Sequence, residues 1–431
     1  MKRTILFVYI VLSTGLIFAQ LKPKQGFAFG ALPAISYDSD LGFQYGALAN
    51  FYLYGNGAIF PRYYHSLYTE LSTYTKGRVI ARIRYDSEFL IPKVRTTLDV
   101  SYVTDPISDF YGFNGYLNVY GPLKVDNPDR FFYRNSQYMF RVKADFQGNF
   151  GTSKFGWLAG YTYYHFQNDT VNSSLLGIPK TGKSLFELYQ NYGLISPEEA
   201  HGGSVNYLKV GIKYDTRDQL ACPMNGIFTE AAIQSAPKIL NKEYPHTKLA
   251  IIHRQYFEIA KDLNFAYRLD YQMTIGNDKV PYYAQPLLIT SYLVAATNQG
   301  LGGKSSIRGI LRNRIIGDDV AFGNFEFRYK FLRFEWLKQM FYIGTNIFFD
   351  SGIILKPIIP NQSSLNLLNS SNPDSYINNY NYYEAWKFHS AAGIGLKIGW
   401  NENFIISAEF GKALDKQDGN SGFYIGTNYL F

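Results

Sequence analysis

The chain has 431 residues, of which 46% are hydrophobic, and it contains 38 Tyr and 34 Phe but only 4 Trp. Its formal net charge is +8, but the lysines and arginines are spread along the whole sequence, which argues against nucleic acid as a partner. Because Cys222 is the only cysteine, disulfides within the chain are excluded, and stability must come from strand pairing and burial.

The first 19 residues predict a cleaved signal peptide (residues 1–19), so we expect an exported protein. Lys2 and Arg3 precede an apolar stretch, residues 5–18, that ends at the small residue Ala19. This stretch is too short for a transmembrane helix, and no later window contains the roughly 18 uncharged apolar residues that such a helix needs. An exported chain of this kind is either soluble or a β-barrel.

Apolar and polar residues alternate in segments along the rest of the chain, which is the pattern of β-strands with two unlike faces. Between Leu263 and Ile275 every odd position is apolar or aromatic, while most even positions are polar. The alternation predicts about sixteen strands, an even number of the kind that outer-membrane barrels use. In chain order the predicted strands cover residues 26–37, 41–54, 66–75, 78–89, 94–103, 131–146, 154–166, 204–214, 227–235, 247–260, 263–275, 321–332, 340–350, 385–399, 404–411 and 421–431.

The connections between these strands indicate a membrane barrel rather than a soluble sandwich, which would show the same alternation. Four connections are long and polar, and all of them follow odd-numbered strands, so they lie at one end of the sheet (residues 106–130, 169–203, 276–320 and 357–384). Tight turns occupy the opposite end, as expected of a barrel in the outer membrane of a Gram-negative bacterium. The predicted fold class is therefore all-β, a single transmembrane antiparallel β-barrel over residues 20–431, with no separate periplasmic domain.

Two short motifs lie in the second half of the chain. Ile307-Arg308-Gly309-Ile310 falls in the longest loop, and Phe348-x-Asp350-x-Gly352 ends the thirteenth predicted strand. With these motifs the chain resembles the BamA/TamA-type outer-membrane superfamily, also called the bacterial surface antigen family, in a short form that lacks periplasmic POTRA domains. Ile310 departs from the family pattern, which usually has Tyr or Phe at this position.

Two further segments are similar to features of that family. Asp215, Arg217 and Asp218, followed by Gly226, resemble its periplasmic turn. Phe431, after apolar residues at alternate positions, resembles the signal by which outer-membrane barrels are recognised for assembly. We expect the side chain of Phe431 to face lipid.

The resemblance implies a protein that assists the insertion or translocation of proteins, and of lipids in some members, at the outer membrane through a lateral seam. It implies no enzymatic activity, no metal and no cofactor. The expected partners are outer-membrane lipids and lipopolysaccharide, together with other outer-membrane or periplasmic assembly proteins. A passive outer-membrane channel and a structural subunit of a larger assembly machine are the two alternatives that the sequence leaves open.

Electrostatics predicts a specific role for Arg308 and Asp350. An arginine on a long loop can fold into a polar lumen and pair with an inward carboxylate, and a charge-assisted pair of this kind would hold the loop as an internal lid. The alternative is that Arg308 is solvated and that Asp350 only ends a strand.

A barrel that helps other proteins to insert needs a weak place, and the sequence predicts one between the first and last strands. Pro33 removes a backbone donor from the first strand, which also contains Gly26 and Gly30, and such residues are typical of edge strands. Phe423 and Phe431 would form the other side of this seam. Alternatively, Pro33 marks only a β-bulge.

Motifs for covalent chemistry or metal binding are weak. Residues 300–305 resemble a phosphate-binding loop, but Asn298 replaces the first glycine of that motif and no strand-to-helix context follows. The six histidines are dispersed, without the paired spacing of a metal site. A lipase is a further alternative, because a serine and a histidine on adjacent strands can be distant in sequence.

Overall fold

The structure, a computed structural model, describes residues 24–60, 62–114, 131–177, 182–289, 296–336, 339–371, 386–400 and 404–431. The predicted signal peptide lies outside these residues. Within them the chain forms one closed antiparallel sheet of sixteen strands, in which each strand pairs with its neighbours in chain order and the last strand pairs with the first. The predicted sixteen-stranded barrel is confirmed.

The barrel strands are β1 (Phe27–Pro33 and Ser36–Asp38), β2 (Gly42–Leu53), β3 (His65–Tyr74), β4 (Val79–Ile91), β5 (Val94–Asp109), β6 (Arg134–Asn149), β7 (Phe155–Thr170), β8 (Gly202–Asp215), β9 (Gly226–Ala236), β10 (His246–Ala260), β11 (Leu263–Ile275), β12 (Asp319–Trp336), β13 (Gln339–Lys356), β14 (His389–Trp400), β15 (Phe404–Ala413) and β16 (Ser421–Thr427). The described parts of the connections contain a short hairpin (Leu287–Ile289 with Ala296–Asn298), two α-helices, α1 (Leu185–Asn191) and α2 (Gln362–Ser371), and 3-10 turns at Ser173–Leu176 and Lys416–Asp418. None of the described helices is long and apolar enough to cross a membrane.

Some strands run further than the sequence predicts, and β5 shows why. The sequence predicts that β5 ends at Val103, because Pro106 is typical of a loop, but the strand continues to Asp109. The ladder between β5 and β6 shifts register between Asp105 and Ser108. A proline, which has no backbone donor, fits such a bulge without breaking the strand.

The two faces of the strands show which side meets lipid. In β11 the polar side chains of Arg268 and Asp270 are buried, whereas Leu269 between them is 45% exposed. β15 repeats this pattern, with Glu409 buried and Phe410 exposed. A soluble protein buries its apolar face, so an exposed apolar face around a buried polar interior indicates a membrane-spanning barrel.

The long connections follow odd-numbered strands, as predicted, and their described residues form a core of their own at that end of the barrel, which we call the long-loop end. Phe110 packs edge-on against Phe186 and Tyr189, with ring centroids 5.4 and 5.3 Å apart. We call the buried set around these rings the mouth cluster, and its main members are Phe110, Tyr111, Phe113, Phe132, Tyr133, Leu185, Phe186, Tyr189, Ile195, Tyr282, Tyr283 and Leu368. The opposite end of the barrel is called the short-turn end.

Candidate functional site

The connection between β11 and β12, as described over residues 276–289 and 296–318, turns back into the barrel and brings Arg308 into its interior. The Arg308 side chain is fully buried, and its guanidinium makes two hydrogen bonds to Asp350 on β13, each 2.9 Å long. The backbone N–H of Arg308 also donates to Asp350, at 3.0 Å. The predicted pairing of Arg308 with Asp350 is therefore present, and we call this connection the lid loop.

Two further carboxylates surround the same guanidinium. Nη1 of Arg308 lies 2.8 Å from Glu326 on β12 and 2.7 Å from Glu409 on β15. Arg328 also binds Glu326, at 2.7 Å, and Lys397 also binds Glu409, at 2.8 Å. Three carboxylates and three cations thus pair with one another inside the barrel. Such mutual pairing is the condition under which buried charges are tolerated.

The other residues of the two motifs shape the space around Arg308. The ring of Phe348 lies 3.5 Å from Cζ of the guanidinium, which adds a cation–π contact. A Cβ on Gly352 would lie 2.7 Å from Cδ1 of Ile307, so glycine makes room for the lid loop there. Ile307 and Ile310 are both buried in one apolar cluster.

Gly309 and Gly411 bring the backbone of the lid loop against the barrel wall. Gly309 has φ +98°, a conformation that favours glycine, and a Cβ on it would lie 2.6 Å from the carbonyl carbon of Gly411. A Cβ on Gly411 would likewise lie 2.6 Å from the backbone oxygen of Arg308. The backbone N–H of Gly309 donates to the hydroxyl of Tyr424 on β16, at 3.1 Å. The lid loop therefore rests directly on the last two strands.

The contact between β16 and β1, which we call the seam, is much shorter than a full strand ladder. In the described chain the ladder across it consists of two residue pairs, Tyr424 with Asp38 and Ile425 with Tyr37. Next to them the N–H of Ser39 donates to the backbone oxygen of Phe423 at 3.1 Å, and the N–H of Phe423 donates to the Ser39 hydroxyl at 3.2 Å. The first segment of β1, Phe27–Pro33, pairs with β2 along its whole length. Its opposite edge, which faces the seam, has no strand partner in the described chain.

Two of the three predicted seam residues lie at the seam. Pro33 ends the first segment of β1, and the strand resumes at Ser36. Phe423 lies on the exposed outer face of β16 against Tyr37, with ring centroids 5.9 Å apart. The break after Pro33 is the point at which β1 loses its pairing with β16.

Phe431 lies elsewhere, because residues 428–431 leave the wall and fold into the lumen. Asn428 adopts the left-handed conformation, with φ 67°, and its N–H donates to the backbone of Ile405 at 2.8 Å. The backbone oxygen of Phe431 accepts a hydrogen bond from Arg328 at 3.1 Å, and its ring centroid lies 4.7 Å from that guanidinium. The predictions that the last strand extends to Phe431 and that its ring faces lipid are wrong. The interior offers this ring a cation and a contact with Tyr256.

A comparison with known families identifies the superfamily to which the chain belongs. The family model of the Omp85 superfamily domain matches residues 64–431. The chain belongs to the Omp85 superfamily. The family resemblance predicted from the motifs around Arg308 and Asp350 is thereby confirmed. No protein with a curated description matches the sequence.

Two solved structures are similar in fold to this Omp85 chain. BamA from Haemophilus ducreyi lacking POTRA domains 1–3 matches with a TM-score of 0.55 and 13% identity, over 94% of this chain and 71% of that chain. CdiB from Escherichia coli matches with a TM-score of 0.59 and 9% identity, over 95% of this chain and 64% of that chain. Membership of the superfamily, together with the apolar outer wall, supports an outer-membrane location.

The turn predicted to be periplasmic joins β8 to β9 at the short-turn end of the Omp85 barrel. Arg217 makes two side-chain hydrogen bonds to Asp215, at 3.0 and 2.9 Å. Asp218 accepts a hydrogen bond from the N–H of Met224 at 3.1 Å. Gly226 has φ +109°, and a Cβ on it would lie 2.5 Å from a backbone oxygen of the turn. The four predicted residues therefore fix the shape of a single turn.

Sequence reasoning missed the four residues that complete the charge cluster of this Omp85 barrel: Glu326, Arg328, Lys397 and Glu409. All four are buried on inward-facing strand positions. Their alternation with aromatic or aliphatic neighbours is visible in the sequence. The sequence does not show that these four side chains lie at the same height in the barrel, because that depends on the register between strands.

Two features of the described residues bear on metal binding and covalent chemistry. No group of three or more His, Cys, Asp or Glu side chains among them could hold a metal ion. Nδ1 of His165 lies 2.8 Å from Oγ of Ser204 on the next strand, at an exposed position. His253 and Thr229 make the same kind of contact, also at 2.8 Å, on another pair of strands. We assign both to polar contacts that link neighbouring strands.

Proposed function

We propose that this Omp85 barrel assists the insertion or translocation of proteins at the outer membrane, and that substrates reach the bilayer through the seam between β16 and β1. The proposal involves no covalent chemistry and no cofactor. The observation that carries it is the seam itself. Two register pairs hold β16 to β1, two hydrogen bonds between Phe423 and Ser39 extend this contact by one residue, and the open edge of Phe27–Pro33 lies beside them.

An open strand edge can bind another strand. The N–H and C=O groups on the seam side of Phe27–Pro33 have no strand partner in the described wall, and such groups are costly in lipid. A strand of a substrate protein would satisfy them by extending the sheet. Phe27 and Phe29 are 65% and 69% exposed at this edge, so the apolar side chains of an entering strand would find apolar neighbours.

The lid loop supports the same proposal, because it rests on one side of the seam. Gly309 donates to Tyr424 on β16, and Arg308 binds carboxylates on β12, β13 and β15. We infer that the lid loop holds β12 to β15 together while the seam opens. Movement would then be confined to β16 and β1.

The mouth cluster favours insertion over passive diffusion. A passive channel needs a water-filled path that is open at both ends of the barrel. In the described chain a buried aromatic core packs the long connections against one another at the long-loop end. A route sideways through the seam does not cross this core.

Depletion of the protein in the organism that makes it, followed by quantification of outer-membrane proteins and surface lipids, tests the proposal. We expect one or more outer-membrane proteins to decrease while cytoplasmic proteins stay constant. An unchanged profile, together with steady single-channel conductance of the purified barrel, would contradict the proposal and support a passive channel. Co-purification with a larger assembly machine, without any activity of the isolated barrel, would identify a structural subunit.

A further inference from the structure

One lysine lies on the outer, apolar wall of the barrel. Of the lysines and arginines in the described strands, only Lys412 and Arg333 are exposed, and Arg333 pairs with Asp262. Lys412 belongs to the outward-facing row of β15, two residues from Phe410. In the described chain no hydrogen bond or ion pair reaches its ammonium group.

A hydroxyl group lies beside this lysine. Ser421 on β16 is the register partner of Lys412 and is also exposed on the outer face. In the part of the chain that the structure describes, the Ser421 side chain makes no hydrogen bond either. An ammonium group has three donors and a hydroxyl has one, so the pair can bind an anionic oxygen ligand such as a phosphate.

Apolar side chains continue from this pair along the wall. Phe410 and Phe423 are register partners toward the middle of the wall, and they are 44% and 40% exposed. Trp386 and Phe388 are exposed just before β14, at the long-loop end. Aromatic residues collect at the level of lipid headgroups in membrane proteins. A lipid whose headgroup contacts Lys412 would therefore lay its acyl chains over Phe410 and Phe423.

A lysine on the lipid face of a barrel is unfavourable unless its ammonium group reaches the headgroup region and finds an anion there. We propose that Lys412 and Ser421 bind the phosphate of a lipid headgroup on the outer face of β15 and β16. This site adjoins the seam, because β16 is the strand that pairs with β1. The proposal depends on the outer surface alone and holds whether or not the seam opens.

Native mass spectrometry of the purified barrel tests this site with three probes at equal molar ratio: phosphatidylglycerol, bisphosphorylated lipid A and dioleoylglycerol, which has no phosphate. Wild-type protein should retain at least one phosphate-bearing lipid about fivefold more than the Lys412→Gln variant does. Lys412→Arg should retain it as wild type does. Lys416→Gln, which removes an exposed lysine from the adjacent turn, is the matched control and should have no effect.

Each outcome of this experiment is decisive. A loss restricted to phosphatidylglycerol would support the site with a phospholipid as its ligand, and a loss restricted to lipid A would support it with a glycolipid. Equal retention of both phosphate-bearing lipids by wild type and Lys412→Gln would overturn the proposal. An equal loss of dioleoylglycerol would also overturn it, because the variant would then act on the apolar wall. Heat-modifiable mobility on gels shows that each variant is folded.

Discussion

Replacing Arg308 with glutamine should release the lid loop without unfolding the barrel. The guanidinium is shared by Asp350, Glu326 and Glu409, and in the variant Asp350 would lose the cation that binds it at 2.9 Å while remaining buried. Removing one partner of a buried ion pair typically costs ~3–5 kcal/mol. Since every 1.4 kcal/mol is about a factor of ten, the equilibrium constant for opening of the lid loop should rise by about two to three and a half orders of magnitude.

Hydrogen exchange of the purified barrel, read by mass spectrometry, measures this opening. Peptides that cover residues 300–312 should exchange faster by the same factor, while peptides from β6 and β7 should be unchanged. Arg62→Gln is the matched control. Arg62 and Glu88 are an exposed pair 3.5 Å apart, and such pairs contribute only ~0–1 kcal/mol.

The double variant Arg308→Gln with Asp350→Asn should regain part of the lost protection, because Asp350 would no longer be a buried carboxylate without its cation. Equal exchange of residues 300–312 in wild type and Arg308→Gln would refute the reasoning that buried ion pairs hold the lid loop.

Gly411→Ala should also displace the lid loop, because its methyl group would lie 2.6 Å from the backbone oxygen of Arg308. Hydrogen exchange of the lid-loop amides should become faster in this variant. It should stay unchanged in Gly30→Ala, where nothing lies within 4 Å of the new methyl group. Arg328→Ala should free residues 428–431, because the Arg328 guanidinium lies 4.3 Å from the ring of Tyr429. Cys222 is buried in one cluster with Tyr429, so maleimide labelling of Cys222 in the folded barrel should increase. Unchanged labelling would contradict this prediction. Burial, together with the nearby charge of Asp38, raises the pKa of Asp40 in the turn after β1 from 3.8 to about 6. The folded turn therefore binds this proton more tightly than the unfolded chain does, so the stabilisation is complete below pH 3.8 and is lost as the pH rises through 6. Amide exchange in this turn, corrected for the intrinsic rate, should be slower at pH 5 than at pH 8, and a persistent difference in Asp40→Asn would count against this assignment.

The barrel could be predicted from the sequence because its main signals are local. The alternation in Leu263–Ile275 depends only on the two-residue period of a strand, and the position of the long loops depends only on chain order. The end of β5 could not be predicted in the same way. Pro106 is compatible with a loop and with a bulge, and only the register against β6 distinguishes them.

The site could be predicted only in part. Each of the motifs around Arg308 and Asp350 is continuous in sequence, so the sequence alone predicts the ion pair between these two residues. Glu326 and Glu409 lie on separate strands, and their approach to Arg308 depends on the stagger of β12, β13 and β15, which alternation does not define. The alternation continues to Phe431 and so predicts a strand there, because no local pattern in the sequence shows that the backbone turns inward at residue 428.

A disulfide across the seam tests the central claim most directly. Tyr37 and Ile425 are register partners, and the Cα atoms of such partners lie about 4.5–5.5 Å apart, within reach of a disulfide. Cysteines at Ala49 and Thr69, which pair within the regular ladder of β2 and β3, are the matched control.

In cells depleted of the wild-type protein, the amount of correctly inserted outer-membrane protein is the quantity to measure. The proposal predicts that the oxidised seam pair lowers this amount, that a reductant restores it, and that the control pair sustains normal amounts in both states. Normal insertion by a barrel whose seam disulfide is fully formed would contradict the proposal.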